Sequence, residues 1–108
     1  MTPPPLPFAG QTALITGAGS GIGAAVAQAL AAQGARLILA GRRHEALEAV
    51  AAALPPASQP VTLPTDVSDA AQVERLMAAA IAAAGRVDIL INAAGLFHMA
   101  PLLDTSLE

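Results

Sequence analysis

The stretch TALITGAGSGIG, residues 12–23, decides how this chain is read. Residues 12–16 form a short apolar, partly β-branched run, the composition of a buried strand. Glycines follow at 17, 19, 21 and 23. From Gly21 to Gln33 the apolar residues Ile22, Val26, Ala29 and Leu30 recur at helical spacing, and Gly34 stops the pattern. A strand thus feeds a glycine-rich turn that opens a helix. The first helical turn carries unpaired N–H groups and the positive end of the macrodipole, and absent side chains let the backbone close on oxygen atoms, so a phosphate suits the place. Two registers fit: Gly19-x-Gly21-x-x-Ala24, or Gly17-x-x-x-Gly21-x-Gly23. The second is preferred, because it sets a glycine at the strand's end, where the tight turn belongs. The glycines alone also suit a plain turn with close helix–strand packing; their place inside a β-α-β unit favours a nucleotide site.

Downstream, strand and helix signals alternate. RLILA (36–40) reads as a second buried strand, and Leu47, Val50, Ala51 and Leu54 as a helix face closed by Pro55–Pro56. VTLPTD (61–66) is a weaker strand whose Pro64 suits a sheet edge. Ser68 is a candidate cap for a third helix with a face of Val73, Leu76, Met77, Ile81 and Ala84, ended by Gly85. VDILI (87–91) is the fourth strand. The order β-α-β-α-β-α-β, with strands buried on both faces, predicts an α/β fold built on a parallel sheet. MTPPPLP and the two residues after it read as a proline-rich, loosely ordered leader over 1–9, and 10–108 as a partial dinucleotide-binding domain. The Pro4–Pro7 spacing also matches a PxxP ligand, a weaker reading than a tail.

Composition excludes several functions. The 108 residues are 55% hydrophobic and 12% charged, a balance that suits elements buried on both faces. A net charge of −3 gives no footprint for nucleic acid or anionic lipid. There is no cysteine, and with two histidines and no carboxylate cluster no metal site is expected. The most apolar stretch, MAAAIAAAG (77–85), is too short to span a bilayer. The expected compartment is the cytoplasm. All five basic residues are arginines, at 36, 42, 43, 75 and 86, so a P-loop, which needs Gly-Lys-Ser/Thr, is excluded.

Thr16-Gly17-x-x-x-Gly21-Ile22-Gly23 resembles the signature of the short-chain dehydrogenase/reductase family, and the resemblance covers the chain after the leader. Asp66–Val67 is similar to the family's adenine-contacting pair, and Asn92-Ala93-Ala94-Gly95 to its motif after the fourth strand, which has a second Asn where Ala93 stands. The resemblance implies a Rossmann-type sheet in the order 3-2-1-4, truncated after the fourth strand. It implies a dinucleotide held by Gly17, Ser20, Gly21, Ile22, Gly23, Asp66, Val67, Asn92, Ala93 and Gly95. It also implies a homo-oligomer for the full-length form. Read by position alone, Asp66 could instead help to start the third helix, and Asn92 could be an ordinary turn residue. Thr16 is expected to brace the turn at 93–94.

The end of the second strand bears on the cofactor. An NAD site usually has an acid there to bond the ribose hydroxyls, whereas this chain has Gly41 followed by Arg42 and Arg43. Guanidinium groups bind a 2′-phosphate that an acid would repel. Cations at a helix start oppose its dipole, which favours a ligand role over a plain surface one. NADP(H) is the expected cofactor, with NAD(H) as the alternative. His44 reads as an exposed first-turn residue, and His98 and Met99 take no role.

In the family a Tyr-x-x-x-Lys pair moves the substrate proton, with a Ser and a further Asn; this chain contains neither tyrosine nor lysine. It ends LLDTSLE, where Thr105 and Glu108 are spaced as a helix capping box. These features read as the cofactor part of an alcohol/ketone oxidoreductase, with no catalytic residue in the chain itself. The alternative is a non-catalytic dinucleotide-binding module, or a half-site completed by a partner chain. A methyltransferase fits less well, because its cofactor's ribose would want an acid where Arg42 and Arg43 stand. A fourth strand left at the edge would also be open to self-association.

Overall fold

In the computed structural model, which describes residues 6–19 and 21–93, the apolar run is strand β1, Thr12–Thr16, with all five residues buried. Expectations for Ser20, Ala94, Gly95, His98, Met99 and the Thr105–Glu108 box lie outside the described residues. Three further strands, β2 (Arg36–Gly41), β3 (Val61–Pro64) and β4 (Ile89–Asn92), join β1 in a parallel sheet of order β3-β2-β1-β4, as expected. Helices α1 (Gly21–Ala32), α2 (His44–Ala52) and α3 (Ala70–Ala84) connect them.

Strand periodicity divides the core in two. Ile15, Leu37 and Leu39 point to one face and pack with Ala27 and Ala31 of α1 and Leu47 of α2. Leu14, Ile38 and Ala40 point to the other and pack with Leu76 and Ala80 of α3. Leu14, Ile15, Leu37, Ile38, Leu39 and Leu47 are fully buried, each stabilising the fold by about 1.5–3 kcal/mol relative to exposure.

Helix α1 seats on the sheet by Gly23, Ala27 and Ala31, with Val26 and Leu30 beside them. The expected Ile22 and Ala29 face outward, Ile22 at 58% exposure. A row of small residues four apart lets the helix axis approach the strands, and this outweighs the pattern of larger side chains in an alanine-rich helix. Likewise α3 buries Leu76 and Ala80, and the expected Ile81 is 51% exposed.

The cap of α3 is Asp69, not Ser68. Its carboxylate accepts from the N–H groups of Ala71 at 2.9 Å and Gln72 at 3.3 Å. Ser68 is turned instead toward Asp66. Helix α2 ends before the prolines, and Pro56–Ser58 forms a 3-10 turn. Within the expected leader, the Phe8 N–H donates to the Gln33 carbonyl at 2.9 Å, and the Phe8 side chain packs on the first core.

The two sheet edges differ. On β3, Pro64 offers no N–H and the Thr62 hydroxyl donates to Glu48, so that edge is blunted. On β4, shorter at its start than expected, Val87 packs into the second core and Asp88 takes another role. The Asp88 N–H donates to the Thr12 carbonyl at 2.8 Å, and its carboxylate accepts from the Thr12 N–H at 2.8 Å. Among the described residues β4 has a neighbour on one side only.

Candidate functional site

Parallel register brings the carboxyl ends of the strands into one line: Thr16 stands beside Ala40 and Asn92, and Gly41 beside Pro64. Beyond that line β1 runs into the glycine turn. Ala18 N–H donates to the Ala40 carbonyl at 3.0 Å, folding the turn over the end of β2. Gly17 and Gly21 hold φ of +66° and +53°, the left-handed region that side chains disfavour. A methyl at Gly23 would drive into the Gly17 carbonyl oxygen. Gly19 has no such backbone demand, and its near neighbour is the Ala46 side chain of α2. The conformation therefore follows the Gly17-x-x-x-Gly21-x-Gly23 register.

A cleft of about 170 Å³ opens here, lined by Gly17, Gly19, Gly41, Arg42, Arg43 and Ala46. Arg43 is the N-cap of α2 and makes no side-chain capping bond, and the first turn of α1 has no acidic residue. The start of α2 and two guanidinium groups thus meet at one hollow, and Glu45, the acid in the first turn of α2, does not line it, so the rim favours an anion. Added bulk at Gly21 would meet nothing within 4 Å, so the turn faces open space. Backbone donors, a positive rim and room for oxygen atoms together fit the phosphates of a dinucleotide.

At the ends of β1 and β4, the Thr16 hydroxyl donates to Oδ1 of Asn92 at 2.8 Å and lies 3.4 Å from the Ile91 carbonyl. Among the described residues the Thr16 hydroxyl thus braces residues 91–92, because the register sets Thr16 directly beside Asn92; of the expected brace at 93–94, Ala94 lies outside the described residues. Ala93 follows Asn92 at the same edge.

Beside β2, Asp66 is fixed by its neighbours. Its Oδ1 accepts from the Ser68 hydroxyl at 2.6 Å and the Ser68 N–H at 3.0 Å, and its own N–H donates to Oε1 of Gln72 at 2.8 Å. The Ser68 hydroxyl, then its N–H, hold the carboxyl below the usual carboxylate range; the Arg42 charge acts in the same direction and burial opposes it. Asp66 organises the approach to α3 without being its cap. Val67 next to it is 38% exposed.

Sequence reasoning passed over Ala46, whose small side chain leaves the cleft open, and the Ser68–Asp66 link; neither residue type signals a site alone. His44 is exposed and lies 3.7 Å from Glu48, as a first-turn residue of α2. A second hollow of about 320 Å³, between β3 and α3, holds none of the expected site residues. Among the described residues no cluster of metal-ligating side chains occurs, and no helix is long and apolar enough to cross a membrane.

A phosphate-shaped turn at the end of the first strand of a 3-2-1-4 parallel sheet defines a dinucleotide-binding class of protein. The family model for short chain dehydrogenases matches residues 11–108, and the chain belongs to that family. Sorbitol dehydrogenase of Cereibacter sphaeroides is 42% identical over 99 residues, covering 92% of this chain and 38% of that enzyme. The 3-ketoacyl-(acyl-carrier-protein) reductase of Brucella melitensis, solved with NADH, superposes with a TM-score of 0.71 at 38% identity, covering 76% of this chain and 33% of that one. A short chain dehydrogenase/reductase of Burkholderia phymatum, solved with NAD, gives 0.69 at 41% identity, covering 77% and 30%. The chain spans 8%, 42% and 38% of the first three curated relatives it matches. It is the N-terminal dinucleotide-binding region of this family, partial relative to its oxidoreductase relatives.

Proposed function

We propose that this region serves an NADP(H)-preferring short-chain oxidoreductase acting on alcohols or ketones. The observation that carries the reading is the pair Arg42 and Arg43 lining the cleft beside Gly17 and Gly19, with Gly41 where an NAD site would present an acid. The solved relatives described above hold NAD(H), which supports the dinucleotide; the guanidinium pair supports the 2′-phosphate. Gly17, Ser20, Gly21, Ile22 and Gly23 cradle the pyrophosphate, Asp66 and Val67 flank the adenine, and Asn92, Ala93 and Gly95 approach the nicotinamide ribose. Two of these residues, Ile22 and Val67, are among the few large apolar side chains left exposed among the described residues, as surface that a flat ligand covers would be.

When bound, the nicotinamide supplies or accepts the hydride. The chain's own groups hold and orient the dinucleotide. With no tyrosine and no lysine among the 108 residues, the acid that protonates a carbonyl oxygen comes from polypeptide outside them. The same observation favours a second reading, a binding half completed by a partner chain. Among the described residues strand β4 has one neighbour and Leu90 is 41% exposed, an edge at which such a partner would pair; copies of this chain could associate there too but would not supply the acid.

The test is a titration with NADPH and NADH, repeated with Arg42→Ala. Tighter NADPH binding that falls toward the NADH value in the variant is the expected result. Equal binding of both, unaltered by the variant, would remove the phosphate preference and leave a general dinucleotide site.

A further inference from the structure

Arg42 is the first residue beyond β2 and Asp66 lies two residues beyond β3, and the register fixes how these ends lie. Gly41 pairs with Pro64, and the Thr65 N–H donates to the Gly41 carbonyl at 2.7 Å, so the two strands leave the sheet side by side. Asp66 is then held on both sides, its backbone by Gln72 and its Oδ1 by Ser68. No ion pair within 4.0 Å joins Asp66 to Arg42 among the described residues. The carboxylate therefore does not steer the guanidinium by a bond; it acts on it through space.

We infer that Asp66 is a specificity-determining residue that lowers the preference of the cleft for a 2′-phosphorylated nucleotide, by setting a fixed negative charge beside Arg42. The inference rests on the NADP(H) reading above and deepens it. Arg42 lines the cleft, and a phosphate dianion bound to it also meets the field of Asp66. A nucleotide with a free 2′-hydroxyl carries no charge there and is indifferent to that field. Asp66 thus sets the ratio of the two affinities separately from any hydrogen bond it makes to a base. Its perturbed titration agrees with this placement, since the Arg42 charge is among the causes that lower it.

The experiment measures dissociation constants of 2′,5′-ADP and 5′-AMP by calorimetry at low salt, for the protein and for Asp66→Asn, Ser68→Ala and Arg42→Ala. Asparagine keeps an oxygen to accept both Ser68 bonds, so Asp66→Asn preserves the turn while removing the charge. The expected result is that Asp66→Asn raises the preference for 2′,5′-ADP about three- to tenfold and that added salt erodes the gain. Ser68→Ala retains the carboxylate and leaves the preference where it was. An unchanged or lower preference in Asp66→Asn, or the same rise in Ser68→Ala, would overturn the inference. Equal weakening of both ligands would make Asp66 a base contact alone, and also overturn it. If the protein itself shows no preference for 2′,5′-ADP, the NADP(H) reading fails and this inference fails with it; if it shows one that Arg42→Ala leaves unaltered, only this inference fails. If Arg42→Ala abolishes the preference while Asp66→Asn does not move it, only this inference is lost.

Discussion

Thr16 and Asn92 are joined side chain to side chain, Oγ1 of the one donating to Oδ1 of the other at 2.8 Å across the paired ends of β1 and β4. Thr16 is nearly buried, at 7% exposure, so its hydroxyl has no easy alternative in water. The bond ties the start of the glycine turn to the strand that carries the last motif. Thr16→Val keeps the β-branched shape and removes the donor. It is expected to destabilise the fold by about 1 kcal/mol, read as a lower urea midpoint with an unchanged slope. Thr16→Ser should recover most of the loss; a serine variant as weak as valine would mean that packing, not the bond, matters at this position.

Within the turn, two glycines are needed for different reasons, and the difference is measurable. At Gly23 a methyl meets the Gly17 carbonyl, a backbone atom that cannot move aside without opening the turn. At Gly21 a methyl meets nothing within 4 Å, and only the φ of +53° resists it. Gly23→Ala is expected to destabilise by about 1–3 kcal/mol and to abolish dinucleotide binding. Gly21→Ala should destabilise by about 1–2 kcal/mol, the conformational term alone. Thermal melts with and without NADPH check this. Cofactor-induced stabilisation of Gly23→Ala equal to that of the parent would contradict the steric account.

At the opposite, amino-terminal end of the same two strands, β1 and β4, Asp88 gives the fold an acid-sensitive point. The Arg86 guanidinium bonded to it, then the Thr12 N–H, hold its carboxyl below the usual carboxylate range. The folded-state value therefore lies below the unfolded one. The stabilisation is complete above the unfolded value and is lost as pH falls through the folded one. Melting midpoints followed from about pH 6 down to about pH 2 should fall on the acid side. Asp88→Asn should melt lower at neutral pH and lose less on acidification. Parallel profiles for the two proteins would show that Asp88 is not the group responsible.

The sequence made some of this legible and hid the rest for definable reasons. Strand β1 was readable to the residue, because a buried apolar run bounded by glycine has few other uses. Pro64 marked the edge strand because its missing N–H excludes a central place. The buried face of α1 was not readable: with alanine all round, distance to the sheet decides, and Gly23, Ala27 and Ala31 allow the closest approach. Ser68 and Asp69 are both good caps, and the choice turned on Asp66 engaging Ser68, a bond that composition does not announce. The cleft was half legible. Glycine spacing and Arg42–Arg43 pointed to it, but Ala46 joined it only through packing of α2 against the turn.

Gly41 offers the most direct reversal of cofactor choice. A Cβ at this position would stand 3.1 Å from Leu47 Cδ2, the far end of a flexible side chain, and 3.8 Å from the Gly19 nitrogen. Its φ is not in the left-handed region, so a side chain meets no backbone penalty. Gly41→Asp should therefore be accommodated for less than about 1.5 kcal/mol, by a small shift of Leu47. It places a carboxylate at the end of β2, where it can accept from the hydroxyls of an NAD ribose and where it partly neutralises Arg42. A 2′-phosphate would then face a like charge, and its affinity should drop about tenfold or more, the effect of ~1.4 kcal/mol of repulsion. NADH should bind as tightly as before or more so. Parallel titrations with NADPH and NADH read the outcome. If the variant folds and both affinities fall together, the carboxylate blocks the cleft instead of selecting within it, and the assignment of the adenosine 2′-position to this end of β2 is wrong.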